Sequence, residues 1–183
     1  MSRFVLRTRA DCPDLKKAAG AIEQAAWNAL GFLNYTHAHY QYYSALLEEY
    51  ADCQLCLVDT ETGYPVAAAN CVPVTVPDLD ALPAEGWDWI VESAASPKSN
   101  PNMIGALAIS VPQLHRSKGL ARIMIHAFRD LAAKRGYAGV VAPVRPSAKS
   151  KHPYIPIDDY VEGRDERGRA ADPGLRSHLA AGG

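Results

Sequence analysis

The feature that most constrains the fold of this chain is an apolar strand that leads directly into a basic turn and a helix. Residues 104–111 have the alternating apolar character of a strand, and residues 116–119 read Arg-Ser-Lys-Gly. A helix that begins at such a turn directs its unpaired N–H groups and its positive dipole end into the loop. The sequence therefore predicts a loop that binds phosphate oxygens, to which Arg116 and Lys118 add positive charge. The helix is indicated by apolar residues at helical spacing, namely Leu120, Ile123, Met124, Ala127, Phe128 and Leu131.

Two common phosphate-binding motifs are absent from the sequence. The nucleoside-triphosphate loop Gly-x-x-x-x-Gly-Lys followed by Ser or Thr does not occur, and neither does the dinucleotide pattern Gly-x-Gly-x-x-Gly. An ordinary strand-turn-helix unit with solvated basic residues is the alternative interpretation of the segment.

Residues 116–121, Arg-Ser-Lys-Gly-Leu-Ala, have Arg at the first position, Gly at the fourth and a small residue at the sixth. This segment resembles the pyrophosphate-binding loop of the GNAT superfamily of N-acetyltransferases. Its context agrees, because a strand precedes it, a long amphipathic helix follows it, and residues 139–144 then indicate another buried strand. Three further segments, 82–88, 145–156 and 172–178, resemble a subgroup of bacterial GNAT-like proteins whose acceptors are mostly unassigned.

The resemblance covers residues 4–161 and implies an α/β fold, with a mixed, mostly antiparallel central sheet flanked by helices. We expect residues 1–161 to form the acyl-CoA-binding domain, with an insertion at 77–102, and residues 162–183 to form a charged loop and a short C-terminal helix. No run in 162–183 has the pattern of the two closing strands of a GNAT domain. In the first half of the chain, the expected elements are a strand at 4–7, a helix from Leu15 to Gly31 capped by Asp14, a helix within 32–50, a hairpin at 54–59 and 66–76, and a short helix within 84–95. The central strand and the helix from Leu120 to about Gly136 follow, and then a strand at 139–144, a helix from Pro156 to Val161 and a last helix capped by Asp172.

The resemblance also implies roles for individual residues. The pantetheine arm of acyl-CoA is expected to pair with the backbone of the central strand, and Val111 is expected to donate its N–H to the oxyanion. Gly119 matters because the backbone must approach the phosphate oxygens without a Cβ. The residues expected to bind the donor are Ile109, Ser110 and Val111 for pantetheine, and Arg116, Ser117, Lys118, Gly119, Leu120 and Ala121 for pyrophosphate.

The groups that move protons are less clearly indicated. The family often uses a Glu near the central strand as a base, but Asn102 to Val111 contains no acidic residue. Another base must serve, and the alternatives are Glu92, Asp88, His37 and water. For protonation of the leaving thiolate, the resemblance indicates Tyr154 or Tyr160, and we favour Tyr154 because it lies nearer the end of the preceding strand.

The remaining polar and aromatic residues indicate neither a metal nor a polyanion partner. His37 and His39 are two positions apart, so on a helix they diverge and are poorly placed to share a metal. Cys53 and Cys56 have the spacing of half a metal or redox site, but no second cysteine pair accompanies them. The aromatic segment that contains these histidines borders the acceptor pocket in a GNAT fold, and Trp87 and Trp89 are expected to pack against the domain.

The length and composition of the chain suit a single domain. With 183 residues, 48% of them hydrophobic, it has enough apolar surface for a core, and its net charge of −1 gives no reason to expect nucleic acid binding. No stretch approaches the about 20 apolar residues of a membrane span, and the N-terminus does not resemble a signal sequence, so we expect a cytoplasmic protein.

These inferences together predict an acyl-CoA-dependent N-acyltransferase. It would move an acetyl or short acyl group to an amine of a small molecule, without a metal. Two alternatives stay open: a GNAT-like acyl-loading or decarboxylating domain, and a non-catalytic CoA-binding or pairing subunit. Because an uncovered sheet edge favours association, we also expect a homo-oligomer or a partner chain that completes the sheet.

Overall fold

The computed structural model describes residues 3–28, 31, 35–97 and 100–182. The chain divides into two compact units, Met1–Ala142 and Pro143–Gly183. The first unit holds the whole β-sheet, and the second holds two short helices and their loops. From the sequence we expected the acyl-CoA-binding domain to end at residue 161. This boundary stays a prediction.

The sheet has five strands in the order β1-β2-β3-β4-β5. The first four strands pair antiparallel and β5 pairs parallel with β4, so the predicted mixed, mostly antiparallel sheet is confirmed. The strand predicted at 139–144 is only two residues long. The bounds are Phe4–Thr8 for β1, Gln54–Asp59 for β2, Pro65–Val74 for β3, Met103–Ser110 for β4 and Val140–Val141 for β5.

Helices of the first unit cover both faces of this sheet. A π-helical turn at His39–Tyr43 leads directly into α2, where the sequence predicted one regular helix. Asp14 precedes α1 as predicted, but its side chain makes no capping hydrogen bond, because the first turn is closed by backbone bonds to Cys12 and Pro13. The helices are α1 (Leu15–Trp27), α2 (Ser44–Glu49), α3 (Trp87–Ala95), α4 (Leu120–Lys134), α5 (Ile157–Val161) and α6 (Pro173–Leu179). The predicted extension of α1 to Gly31 includes residues 29 and 30, and the helix predicted within 32–50 includes residues 32–34; these residues lie outside the described ones.

The alternation of side chains along the strands gives the sheet two apolar faces. On one face Leu55, Leu57 and Ile104 pack with Met124 and Phe128 of α4. On the other face, the strand residues contact α1, α2 and α3 through separate clusters that include Ala19, Leu46 and Ile90. The β4 strand therefore lies between α4 and α3, and its C-terminal end leads into the loop before α4.

The segment 77–102 contributes α3 to the core. Ile90 and Val91 of α3 are buried against Val72 and Leu107 of the sheet. The approach is close at Gly105, where an added Cβ would lie 2.5 Å from Ile90 Cγ2. Glycine at this position lets α3 lie directly on β4.

The second unit is organised around the buried carboxylate of Asp172. As predicted, Asp172 caps α6, accepting hydrogen bonds from the N–H groups of Gly174 and Leu175. It also accepts from the N–H groups of Ser147 and Ala148 and from the Tyr160 hydroxyl. Burial raises the pKa of Asp172, but the backbone donors at Ala148, Leu175 and Ser147 and the Tyr160 hydroxyl outweigh it and lower the pKa to about 2.

After Val141 the described residues contain no further strand, apart from an isolated bridge between Arg164 and Ala170. This agrees with the expected absence of the closing strand pattern in residues 162–182. Among the helices of the described residues, none has the length and apolar character needed to span a membrane.

Candidate active site

The two central strands of the sheet separate partway along β4. Only Ile104 and Gly105 of β4 pair with β5, so within the described part of the chain the strand from Ala106 to Ser110 has no β5 partner. On its other side β4 stays paired with β3, with a register break that leaves Leu107 unpaired. A strand whose backbone is released from its neighbour offers a row of N–H and C=O groups to an extended ligand.

The loop after β4 brings exposed backbone to the start of α4. Ser117 has a φ of 61° and Gly119 a φ of 75°, and both are exposed. Ser117 is the one residue other than glycine with positive φ among the described residues, a conformation that costs energy and often accompanies function. The Arg116 Nε atom donates to the Val111 carbonyl over 3.3 Å, which ties this loop to the end of β4.

The predicted donor-binding residues lie in sequence along this path. Ile109 and Val111 pack toward α4, whereas Ser110 is buried on the opposite face. Leu120 is buried in the core as the first residue of α4. In the loop, His115 is half-buried, and the four residues after it are exposed, namely Arg116, Ser117, Lys118 and Gly119.

A cavity of about 240 Å³ lies beside the released part of β4. Its walls come from α1, the π-helical turn, the start of α3 and β4. The lining residues are Gly20, Glu23, Gln24, Trp27, Asn28, His39, Tyr43, Trp87 and Leu107.

One wall of the cavity is aromatic. The His39 ring stacks on Tyr43 with a centroid distance of 5.0 Å and on Trp87 with a distance of 5.9 Å. Trp87 Nε1 donates to the Leu107 carbonyl over 3.0 Å, and Trp27 Nε1 donates to Ser110 Oγ over 3.1 Å. Both indoles are therefore attached to the part of β4 that has left β5.

A buried polar network supports the same cavity. Glu23 Oε1 pairs with Arg9 Nη2 over 2.7 Å, and Arg9 Nη2 also donates to Asn70 Oδ1 over 3.4 Å. Asn70 Nδ2 donates in turn to the Tyr43 hydroxyl over 2.8 Å. Because Arg9 and Asn70 are buried, their hydrogen bonds fix the orientation of Glu23 and Tyr43.

Burial shifts the pKa values of two cavity residues. It lowers the pKa of His39 below its ordinary 6.5, an effect that the Asp88 carboxylate opposes without cancelling. Burial also raises the pKa of Tyr43, to which the charge of Glu23 adds. At neutral pH the imidazole is therefore largely neutral and able to accept a proton, while the phenol keeps its own.

The structure places none of the three side chains proposed as bases in the cavity wall. Glu92 is exposed, and His37 is exposed with its ring edge toward Tyr42. Asp88 is half-buried, and its Oδ1 atom is buried without a hydrogen-bond partner among the described residues. His39 was considered from the sequence only as a partner of His37, because the stacking that turns it toward the cavity involves Trp87, far along the chain.

The two tyrosines proposed for the leaving thiolate lie in the second unit. The Tyr154 side chain is 97% exposed. The Tyr160 hydroxyl donates to Asp172 Oδ2 over 3.0 Å, and burial together with that carboxylate raises the pKa of Tyr160. Tyr160 thus has a structural role in its own unit, whatever its part in catalysis.

Of the two tryptophans expected to pack, Trp89 contacts the core clusters, whereas Trp87 both packs and lines the cavity. No group of three or more His, Cys, Asp or Glu side chains placed to hold a metal occurs among the described residues. Cys53 and Cys56 are buried free thiols.

Comparison with solved structures finds the same fold in two GNAT-like domains. The chain is similar to the loading GNATL domain of CurA from Lyngbya majuscula, with a TM-score of 0.75 and 18% identity over 99% of this chain and 84% of that chain. It is also similar to the GphF GNAT-like decarboxylase in complex with isobutyryl-CoA, with a TM-score of 0.67 and 20% identity over 97% of this chain and 85% of that chain. At these identities the likeness shows the fold alone.

A sequence relative decides the family. The arginine N-acetyltransferase avaD of Aspergillus versicolor is 37% identical over 200 residues, which cover 98% of this chain and 68% of the relative. The chain belongs to the GNAT superfamily. No protein-family model matches it. As a GNAT enzyme it is an acyl-CoA-dependent N-acyltransferase, as the loop at 116–121 had indicated.

Proposed function

We propose that this GNAT enzyme transfers the acetyl group of acetyl-CoA to a nitrogen of arginine or of a similar small cationic amine. The observation that carries the proposal is the 37% identity to an arginine N-acetyltransferase over nearly the whole chain. The cavity beside the released part of β4 supports it, because the cavity is small, partly aromatic and contains a fixed carboxylate.

The donor would bind along β4 and the loop that follows. Ile109, Ser110 and Val111 would pair with the pantetheine arm, and the N–H groups of residues 117–121 would hold the pyrophosphate at the start of α4. Arg116 and Lys118 would add positive charge at the same place. The exposed backbone of the loop, with positive φ at Ser117 and Gly119, supports this assignment.

The acceptor amine must lose a proton before or during its attack on the thioester carbonyl. We assign this proton to His39, because its imidazole lines the cavity and is held by stacking on Tyr43 and Trp87. Its lowered pKa keeps the accepting form populated at neutral pH. Glu92, Asp88, His37 and water were the alternatives from the sequence, and none of the three side chains lines the cavity.

The attack produces an oxyanion and releases the thiolate of CoA. The Val111 N–H remains our proposed donor to the oxyanion, at the end of β4. Tyr154 remains the proposed donor to the thiolate, and Tyr154→Phe is the variant that tests this role. Tyr160→Phe is less informative, because it also removes a hydrogen bond to Asp172.

The proposed function is tested by measuring release of the CoA thiol from acetyl-CoA in the presence of single amines. Arginine, agmatine, lysine and aminoglycosides form a suitable panel, and mass spectrometry identifies the acetylated product. We expect arginine or its close analogues to support the fastest release. Release without any amine, or with neutral amines only, would contradict the proposal.

A second candidate is an acyl-loading or decarboxylating activity, favoured by the likeness to the CurA loading domain over 99% of this chain. Turnover of malonyl-CoA in the absence of an amine would support it. A cytoplasmic location stays a prediction.

A further inference from the structure

The cavity contains one acidic residue among the described residues that line it, Glu23. We propose that Glu23 selects cationic acceptors: its carboxylate binds the guanidinium group of an acceptor such as arginine, while the rings of His39 and Trp87 cover that group. The inference rests on the proposed function, because it concerns the acceptor of the same reaction.

The carboxylate of Glu23 is held in place by one ion pair among the described residues. Its ion pair with Arg9 engages the Oε1 atom at 2.7 Å, and the two side chains are only 13% and 9% exposed. A carboxylate has about four acceptor positions, so one guanidinium donor leaves capacity for a second cation. The ion pair therefore orients the Glu23 carboxylate, a hydrogen-bond acceptor, in the cavity wall.

Stability alone explains this ion pair poorly. Removing two charges from water costs about as much as their attraction returns, so buried pairs contribute little compared with apolar residues. Here Glu23 lies in a wall of the cavity, and its partner Arg9 also bonds to Asn70, which donates to Tyr43 in the same wall. A role in fixing the groups that contact the acceptor accounts for that location.

The aromatic wall favours a cation for a second reason. Aromatic faces attract ammonium and guanidinium groups, and the attraction grows where water is excluded. The stacked His39, Tyr43 and Trp87 rings provide such faces in the same cavity as Glu23. Because Arg9 partly neutralises Glu23, we expect a preference of moderate size, about tenfold to a hundredfold in affinity.

The experiment compares two ligands of nearly the same shape, arginine and citrulline, which differ in replacing the charged guanidinium by a neutral urea. Calorimetry on the full chain saturated with CoA, which carries no acyl group, measures binding without reaction. The wild type should bind arginine at least about tenfold more tightly than citrulline. In Glu23→Gln this preference should fall to less than about threefold, with CoA affinity unchanged.

Glu48→Gln is the matched control. Glu48 also pairs with a cation, Lys16, but its side chain is 61% exposed and does not line the cavity. The preference for arginine should survive in this variant. Because Glu23→Gln leaves the buried Arg9 unpaired and could unfold the chain, the double variant Arg9→Met, Glu23→Gln removes both charges and should lose the preference in the same way.

Two results would overturn the inference. One is a wild type that binds citrulline as tightly as arginine, and the other is a folded, CoA-binding Glu23 variant that keeps the preference. The proposed function fails by a different measurement, the absence of amine-dependent thiol release from acetyl-CoA. Binding without turnover would therefore support Glu23 as the cation site while rejecting the transfer reaction.

Discussion

His39 is the residue on which the proposed chemistry depends most. Its neighbours are the stacked rings of Tyr43 and Trp87, and the carboxylate of Asp88 at the start of α3 acts on its charge. Glu23 faces the same cavity from α1. Burial outweighs the Asp88 carboxylate, lowers the pKa of His39 and favours the neutral imidazole, which is the form that a general base requires.

We predict that His39→Gln lowers kcat by about 100-fold to 10,000-fold, because it removes the group that takes the proton. The affinity for CoA should stay nearly constant, since the residue lies outside the loop at 116–121. His37→Gln serves as the control, as His37 is exposed and contacts Tyr42 by its ring edge. Equal kcat values for the wild type and His39→Gln would show that another base, or water, takes the proton.

The pH dependence follows from the direction of the pKa shift. The neutral imidazole is present above the pKa of His39 in the folded protein and is lost as the pH falls through it. Because this pKa is lowered, kcat at saturating acceptor should decline only below about pH 6.5, the ordinary value for histidine. If kcat instead declines around a pH above that value, a group other than His39 causes the decline.

Three consecutive elements, β4, the loop after it and α4, form the proposed donor-binding site. Gly119 has a φ of 75°, so a side chain there is strained even though an added Cβ would meet no atom within 4 Å. The open space at this Cβ position is where the pyrophosphate is expected. The amino-terminal end of the 15-residue helix α4 begins directly behind it.

We predict that Gly119→Val weakens CoA binding at least about tenfold, equal to about 1.4 kcal/mol, by straining the loop and filling the space needed by phosphate oxygens. Calorimetry gives the affinity, and circular dichroism checks that α4 is intact. Gly63→Val is a suitable comparison, because Gly63 has a φ of 74° in the turn between β2 and β3, where no donor is expected. A folded Gly119→Val protein with wild-type CoA affinity would disprove the phosphate-loop assignment.

The elements that sequence reasoning predicted well are those with strong periodicity or punctuation. The strand at 104–110, the helix from Leu120 and the cap at Asp172 each depend on local signals, and the structure confirms them. The π-helical turn at His39–Tyr43 was missed because its aromatic and polar residues fit an ordinary helix equally well. The shortness of β5 was missed because strand length depends on where β4 leaves it, which is a tertiary effect.

The candidate site shows the same division. The proposed donor loop was visible in the sequence because its residues are contiguous from Arg116 to Ala121. The proposed acceptor cavity was not visible, since Glu23, His39 and Trp87 come from three helical segments and meet only in the fold. Local patterns cannot report a contact between residues that are far apart in the chain.

At the scale of the whole molecule, the sheet edges lead to a prediction about assembly. Within the described residues β5 pairs with β4 alone, and no strand follows it. Exposed strand edges favour pairing with another chain. We therefore expect the purified protein to form a homo-oligomer, or to associate with a partner that completes the sheet.

Light scattering coupled to size-exclusion chromatography measures the mass of the purified chain over a range of concentrations. A mass above the 19.8 kDa of the single chain would agree with self-association. A stable monomer at every concentration, without any partner, would show that the sheet edge needs no further strand and would contradict the predicted association.

The reaction we propose is the acetylation of a cationic amine bound beside β4. It is tested most directly by following CoA thiol release from acetyl-CoA with and without arginine, and by identifying the product by mass spectrometry. We predict release that depends on arginine and a product that carries one added acetyl group. No release with arginine or with any related cationic amine, by a folded protein that binds acetyl-CoA, would contradict the claim.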